Sequence, residues 1–395
     1  VNQTVQTGSG WNWFSVNVEG EDMSPNAVLS TLEPEFNDLI KDQDDFAVYY
    51  GEEYGGWSGG LTAIDATSLY KLNISNGGAL AFSGYPVDPI STPISLGIGW
   101  NWIGYLPQGI VNVNDALGTV AAEFNDLIKD QNAFAVYYGE EYGWSGGLVD
   151  MMPGRGYMLN VSYESDLIYP NGSGMARMTL ELGEEKVLPS TISAWAVKPR
   201  DFEFNATMTL SIDSHEDFDG DYVGVFADNE CRGIAKRTEF ILDGSYHYSV
   251  MVYSNVTEGE ELSFKYYSSL DNEVINYGEN VEFMANMNVG NGFSTFSLIN
   301  ETGTFEQPVF YSLSEAYPNP FNPVTSFDLT LEVDGMVEVA VYDINGRMVA
   351  ELVNGYRSAG TYPVVWDANE LSSGVYMVHM IAGDYSTMQK VMLIK

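Results

Sequence analysis

Cysteine, lysine, arginine and histidine are all scarce in this chain. One cysteine, Cys231, stands among 395 residues, which excludes a disulfide framework and any cysteine-rich metal site. Only 16 Lys or Arg face 55 Asp or Glu, and the formal net charge is −39. Phosphate binding needs clustered cations, so nucleic acid is excluded as a partner and an anionic membrane surface is disfavoured. No uninterrupted apolar run reaches the ~18 residues of a membrane-spanning helix, so no membrane insertion is expected. Val1 is not followed by a basic and then apolar leader; if the protein is exported, the expectation is that its signal peptide has been removed.

What is present points to a folded protein. Apolar residues reach 45% and aromatics 13%, too many for an acidic disordered tail. Acid exceeds base throughout: 22 to 4 in residues 1–170, 23 to 8 in 171–310 and 10 to 4 in 311–395. Acidity so spread suits a solvated outer surface.

The first 170 residues hold a tandem repeat. Gly10-Trp11-Asn12-Trp13-Phe14 returns as Gly99-Trp100-Asn101-Trp102-Ile103, and Glu35 to Gln43 returns unchanged as Glu123 to Gln131. Phe46 to Tyr54 returns as Phe134 to Tyr142, and Trp57 to Leu61 as Trp144 to Leu148. The spacing between copies drifts only from 89 to 87 residues, the mark of a duplicated module. Each copy reads as strand, short helix, strand, strand. Trp11 and Trp13 share one strand face, and Phe36, Leu39 and Ile40 have the spacing of a short amphipathic helix. The reading assigns 1–7 to a polar N-terminal arm, 8–87 and 97–170 to the modules, and 88–96, with Pro89 and Pro93, to a linker.

Residues 171–298 lack the repeat and alternate in short β runs such as Met208–Ile212 and Tyr246–Val250, which predicts a β-sandwich. Residues 299–312 read as a linker. The last segment, 313–395, opens on the proline-rich Tyr317–Pro323 and continues through alternating strands and an Asn345-Gly346 hairpin turn. The expected fold class is mainly β: duplicated β-rich modules, each with one short helix, followed by two β-sandwich, Ig-like domains.

The C-terminal motifs are Asn319-Pro320-Phe321-Asn322-Pro323, Val341-Tyr342-Asp343-Ile344-Asn345-Gly346-Arg347, the Gly360-Thr361-Tyr362 and Val365-Trp366-Asp367 pair, Ser373-Gly374-Val375-Tyr376 and a terminal lysine. Residues 313–395 on these grounds closely resemble the C-terminal sorting domain of type IX secretion cargo, found in Bacteroidota and related phyla. The resemblance implies handling by the type IX export machinery, passage across the outer membrane, and an extracellular or outer-membrane-surface location. In that family the domain is a transport address that is often cleaved after export. The upstream modules are similar to modules of large secreted proteins, a resemblance that speaks to location and modularity only.

Candidate chemistry is sparse. Gly56–Gly60 and Gly143–Gly147 match G-x-S-x-G, but a nucleophile elbow needs a following helix and a His base. His215, His247 and His379 all lie outside the repeats, so a Gly-rich turn is the better reading. Glu52, Glu53, Glu140 and Glu141 read as solvated acidic loops rather than acid–base couples. Tyr54, Trp57, Tyr142 and Trp144, in Gly-flanked loops, are the candidate ligand-binding residues, by stacking on polysaccharide rings. Asp213, Asp217, Asp219 and Asp221 crowd one loop and are the candidate ligands for a hard cation, Ca²⁺; a solvated turn is the competing reading. Val1 and Val5 are candidate assembly residues, since a β-permissive arm can add a strand to a neighbour's sheet edge.

The function expected from the sequence is a secreted, non-enzymatic structural protein. It would be a self-assembling fibre or surface-layer subunit built by β-module contacts, with other copies of itself as partners. The alternatives are a carbohydrate-binding adhesin and a hydrolase with an unrecognised active site.

Overall fold

A computed structural model describes residues 1–171, 188–212, 218–240, 242–299, 311–314, 316, 318–331, 335–344, 346–357, 360–369, 371–383 and 385–395. The chain is mainly β and divides into two compact units, Val1–Asn300 and Glu301–Lys395.

In the first module the strands run in the spatial order Gly10–Phe14, Tyr70–Ile74, Leu39–Lys41, Phe46–Tyr49 and Trp57–Gly59, each antiparallel to its neighbour. The second module repeats that order with Gly99–Ile103, Tyr157–Val161, Leu127–Lys129, Phe134–Tyr137 and Trp144–Gly146. Ile40, Ala47 and Leu72 from one sheet and Ile128, Ala135 and Leu159 from the other enter a single hydrophobic core. Neither module therefore closes its core alone.

Three local expectations change. The helix expected around Phe36–Ile40 is a turn followed by a strand, and the module helices are instead Pro25–Val28 and Val113–Ala116. Asn37 sits at φ 73°, which breaks a helix, and Asp38 closes the turn by accepting from Glu35 N at 2.8 Å and Ser75 Oγ at 2.7 Å. The arm at 1–7 is not free: Asn2–Gln6 pairs with Ala79–Ser83 of its own module, Val5 is buried, and the Val1 ammonium donates to Gly84 O. The expected linker at 88–96 ends in a strand, Ile94–Leu96, which pairs with Ser165–Leu167.

The modules clasp each other reciprocally. Gln131 Nε2 donates to Trp11 O at 2.8 Å, and Trp13 N donates to Gln131 Oε1 at 3.2 Å. Gln43 repeats the exchange in the other direction, donating to Trp100 O at 3.2 Å and accepting from Trp102 N at 2.9 Å. One side-chain amide thus satisfies both the open N–H and C=O groups along the partner's outer strand, which would otherwise lack a neighbour. The arrangement is that of an isologous pair, with two copies of one surface meeting across a local two-fold.

Residues 188–299 form two facing sheets. One holds Tyr246–Ser254 beside Phe204–Ile212, and the other holds Glu230–Lys236, Tyr222–Ala227, Glu258–Ser268 and Glu273–Met284. Met208, Val250, Val225 and Phe264 lie in the core between them. The second unit pairs Ser312–Leu313, Val324–Leu331 and Gly360–Asp367 in one sheet and Met348–Arg357, Gly335–Asp343, Gly374–Ala382 and Tyr385–Leu393 in the other. Its proline-rich lead-in is fastened at Phe321, which is buried against Trp366 and exchanges backbone hydrogen bonds with Met392 and Ile394. Asp343 and Arg347 close the hairpin between two of its strands at 3.2 Å.

Gln131 is buried while Gln43 is exposed, so their loss is not equivalent. Gln131→Leu is expected to cost about 2–3 kcal/mol of stability and Gln43→Leu about 1, read from urea unfolding of the two variants side by side.

Candidate functional site: the outer faces of the two modules

Alternation along the module strands sends every second side chain away from the shared core. In the second module these outward residues are Leu127, Lys129, Phe134 and Val136, and the sandwich domain covers all four. They pack with Tyr138, Phe202, Phe240, Met251 and Tyr253 in one aromatic cluster. Hydrogen bonds fix the register. Tyr138 Oη accepts from Gly292 N at 2.8 Å, Tyr253 Oη donates to Gln131 O at 3.0 Å, and Asn291 Nδ2 donates to Asn125 Oδ1 at 2.8 Å.

The first module's matching face is only partly covered: Leu39, Lys41 and Val48 are half-buried, and Lys41 meets Glu203 and Phe204 of the sandwich domain. Phe46 is 54% exposed where its counterpart Phe134 is 4% exposed. Phe36, Tyr50 and Tyr54 are also exposed, whereas their counterparts Phe124, Tyr138 and Tyr142 meet Phe293 of the sandwich domain at ring distances of 6.4, 5.3 and 6.1 Å.

Between the modules lies a layer of indoles and lysines. Lys71 Nζ stands 4.1 Å from the Trp13 ring centre and 4.4 Å from that of Trp102, on opposite modules. Lys129 Nζ lies 4.6 Å from Trp100 and donates to Asn205 O and Asn286 Oδ1, while Lys41 lies over Trp11 and pairs with Glu203. Burial, with help from the Lys41 charge, lowers the Lys71 pKa to about 7, and Glu203 partly opposes this. Burial also drives the Lys129 pKa well down. The position equivalent to Lys71 in the second module is Met158, which clusters with Trp13 as well. Two lysines there would repel across the two-fold; one lysine and one methionine do not.

The residues singled out by sequence scatter. Trp57 and Trp144 are buried against Tyr49 and Tyr137 at 5.4 and 5.3 Å, so neither indole offers a face for a sugar. Their backbones are held by Asn26 and Asn114 side chains. Tyr54 is exposed, on the short turn Glu52–Tyr54 with Glu52 and Glu53, and Tyr142 is the partner of Phe293. The G-x-S-x-G glycines serve packing: Gly59 lies on the backbone of Phe46, where a Cβ would stand 2.1 Å from the carbonyl oxygen.

Of the acidic loop, Asp213 and Asp217 lie outside the described residues. Asp219 pairs with Lys236 at 2.8 Å. Asp221 accepts from Tyr266 Oη, Ser269 N, Ser269 Oγ and Phe218 N, all within the sandwich domain. Burial pushes its pKa up, but those donors outweigh burial and hold the carboxyl below its usual range. Among the described residues no three His, Cys, Asp or Glu converge on a metal-sized site. Cys231 is buried in the core, and burial pushes its thiol up to about 12. His247 is buried beside Phe240, and burial lowers its pKa.

With the geometry in place, the comparisons can be read. Residues 315–395 match the family described as the Secretion system C-terminal sorting domain. The chain carries a C-terminal sorting domain, the kind that marks type IX secretion cargo. It is therefore secreted or held at the cell surface, and no helix among its described residues is long and apolar enough to cross a membrane. No curated protein matches the chain. Among solved structures, dimeric latent PorU from Porphyromonas gingivalis aligns with 98% of this chain and 30% of its own, at 10% identity and a TM-score of 0.19. A β-glucuronidase from Parabacteroides merdae aligns with 49% of this chain and 26% of its own, at 7% identity and a TM-score of 0.16. The chain spans less than a third of PorU, and likeness at these scores transfers neither fold nor function.

Sequence reasoning missed the lysines and Gln43 and Gln131. The available signal was that three of the four cations in residues 1–170 stand in otherwise aromatic and apolar strands. Unfolded, Lys71 holds its proton up to about pH 10.4; folded, it releases it near pH 7. Between those values the unfolded chain binds more protons, so this group makes stability rise with pH, by at most ~1.4 kcal/mol per unit. The stability of the wild type minus that of Lys71→Met is expected to climb from pH 7 to 10, in chemical denaturation at a series of pH values.

Proposed function

We propose that this cargo is a non-enzymatic structural protein of the cell exterior, a fibre or surface-layer subunit that assembles with copies of itself through contacts between β modules. The observation that carries the reading is the reciprocal clasp of Gln43 and Gln131 across the two modules. Within one chain it joins two copies of the module through matching strands, which supports the reading that modules of separate copies meet in the same way. The shared core and the docked sandwich domain support the same reading, since together they make residues 1–300 a stiff block rather than beads on a string.

The charge sets the conditions. Assembly of copies that each carry −39 requires counter-ions between them, so the joints must be apolar or backbone-mediated and the anions screened. Sedimentation and electron microscopy of the secreted protein are expected to show monomers at low ionic strength and ordered polymers as salt or Ca²⁺ is raised. Monomers alone under every condition would overturn the reading.

A further inference from the structure

The duplication supplies two copies of one docking face, and the chain contains one domain to fill them. Glu35–Gln43 and Phe46–Tyr54 are identical to Glu123–Gln131 and Phe134–Tyr142. The second copy shows what this face binds: a β-sandwich presenting Phe202, Phe240, Met251, Tyr253 and a Phe293 loop. The first copy leaves Phe36, Phe46, Tyr50 and Tyr54 in solvent, while its Lys41 side is already met by Glu203 and Phe204 of the resident sandwich.

The two copies differ at the rim. The hairpin of the second module reads Asp130-Gln131-Asn132-Ala133, and Arg155 answers Asp130 at 2.6 Å. The first reads Asp42-Gln43-Asp44-Asp45 and has Ser68 at the position of Arg155. The open face is therefore apolar at its centre and more acidic at its edge than the face already filled. A second copy of this chain would bring a like-charged rim, and its own sandwich domain is already docked on its second module.

The geometry points to the outer face of the first module as a docking site for a β-sandwich domain of a different extracellular chain, one with an aromatic sheet face and Lys or Arg opposite Asp44 and Asp45. The central contacts repeat those of Phe134, Val136 and Tyr138 with the resident sandwich, and the basic rim answers Asp44 and Asp45, which stand where the second module has Asn132 and Ala133. This inference stands apart from polymerisation, which uses contacts between copies.

A chain of this protein serves as the probe. Phe134→Asp and Val136→Asp release its sandwich domain, and Phe46→Asp with Val48→Asp disable its other face. The labelled probe is mixed with unlabelled wild-type chain, and binding is followed by sedimentation velocity in low and high salt. Binding to the wild type, weakened about tenfold or more when the receiver carries Phe46→Asp and Val48→Asp, is the expected result. A receiver with Asp44→Asn and Asp45→Ala, which copies the second module's hairpin, is expected to bind the probe more tightly than the wild type. Equal binding to both receivers, or none, overturns the proposal. Self-association of the unmixed wild type that Phe46→Asp and Val48→Asp abolish also overturns it, because the occupant is then a second copy. Near-UV circular dichroism checks that the probe keeps its fold, and a milder probe with Phe46→Ser and Phe134→Ser replaces it if it does not.

Discussion

Residues 1–170 hold four cations, and the fold places all four in contacts within unit 1. Lys71 lies between two indoles from different modules, Lys129 under the sandwich domain, Lys41 against Trp11 and Glu203, and Arg155 on Asp130. A buried ammonium is costly, and even with ring faces and backbone oxygens beside them burial lowers the pKa of Lys71 and Lys129. The rest of the block depends on this layer, since it is where two acidic modules can approach. It also accounts for the sign of the surface charge: with its four cations engaged inside the unit, the charge the module pair shows to solvent is that of its carboxylates.

Duplication explains how the layer is filled without self-repulsion. A symmetric pair would set lysine against lysine at 71 and 158, and the second copy instead has methionine. The same departure from symmetry recurs at the outer faces, where one copy is covered and the other leaves its aromatic residues in solvent. Identical sequence has thus been given different environments by one added domain. Packing, not composition, separates Phe134 from Phe46.

The export address is physically separate in kind. Its sandwich has its own core around Phe321, Trp366 and Tyr376, and the proline-rich lead-in is zipped to the final strand rather than left loose. Its motifs are legible because each fixes local geometry or fills the core: a hairpin turn with Gly346 at φ 78°, a lead-in whose prolines fix φ and which holds a cis Asn319–Pro320 bond, and a tryptophan that fills the core.

By itself the sequence determined the repeat, the β character, the sorting domain and the acidic surface, because periodicity, turn residues and charge are local properties. It misled where a local pattern had two solutions. Phe36, Leu39 and Ile40 fit a helix until Asn37 at positive φ and the Asp38 hydrogen bonds turn the chain into a strand. Only the tertiary structure decided that Trp57 and Trp144 are core, that Val5 pairs within its own module, and that Gln43 and Gln131 hold the modules together. Those outcomes depend on partners up to 120 residues away, or on which of two identical faces another domain happens to cover, and no local window of sequence contains that information.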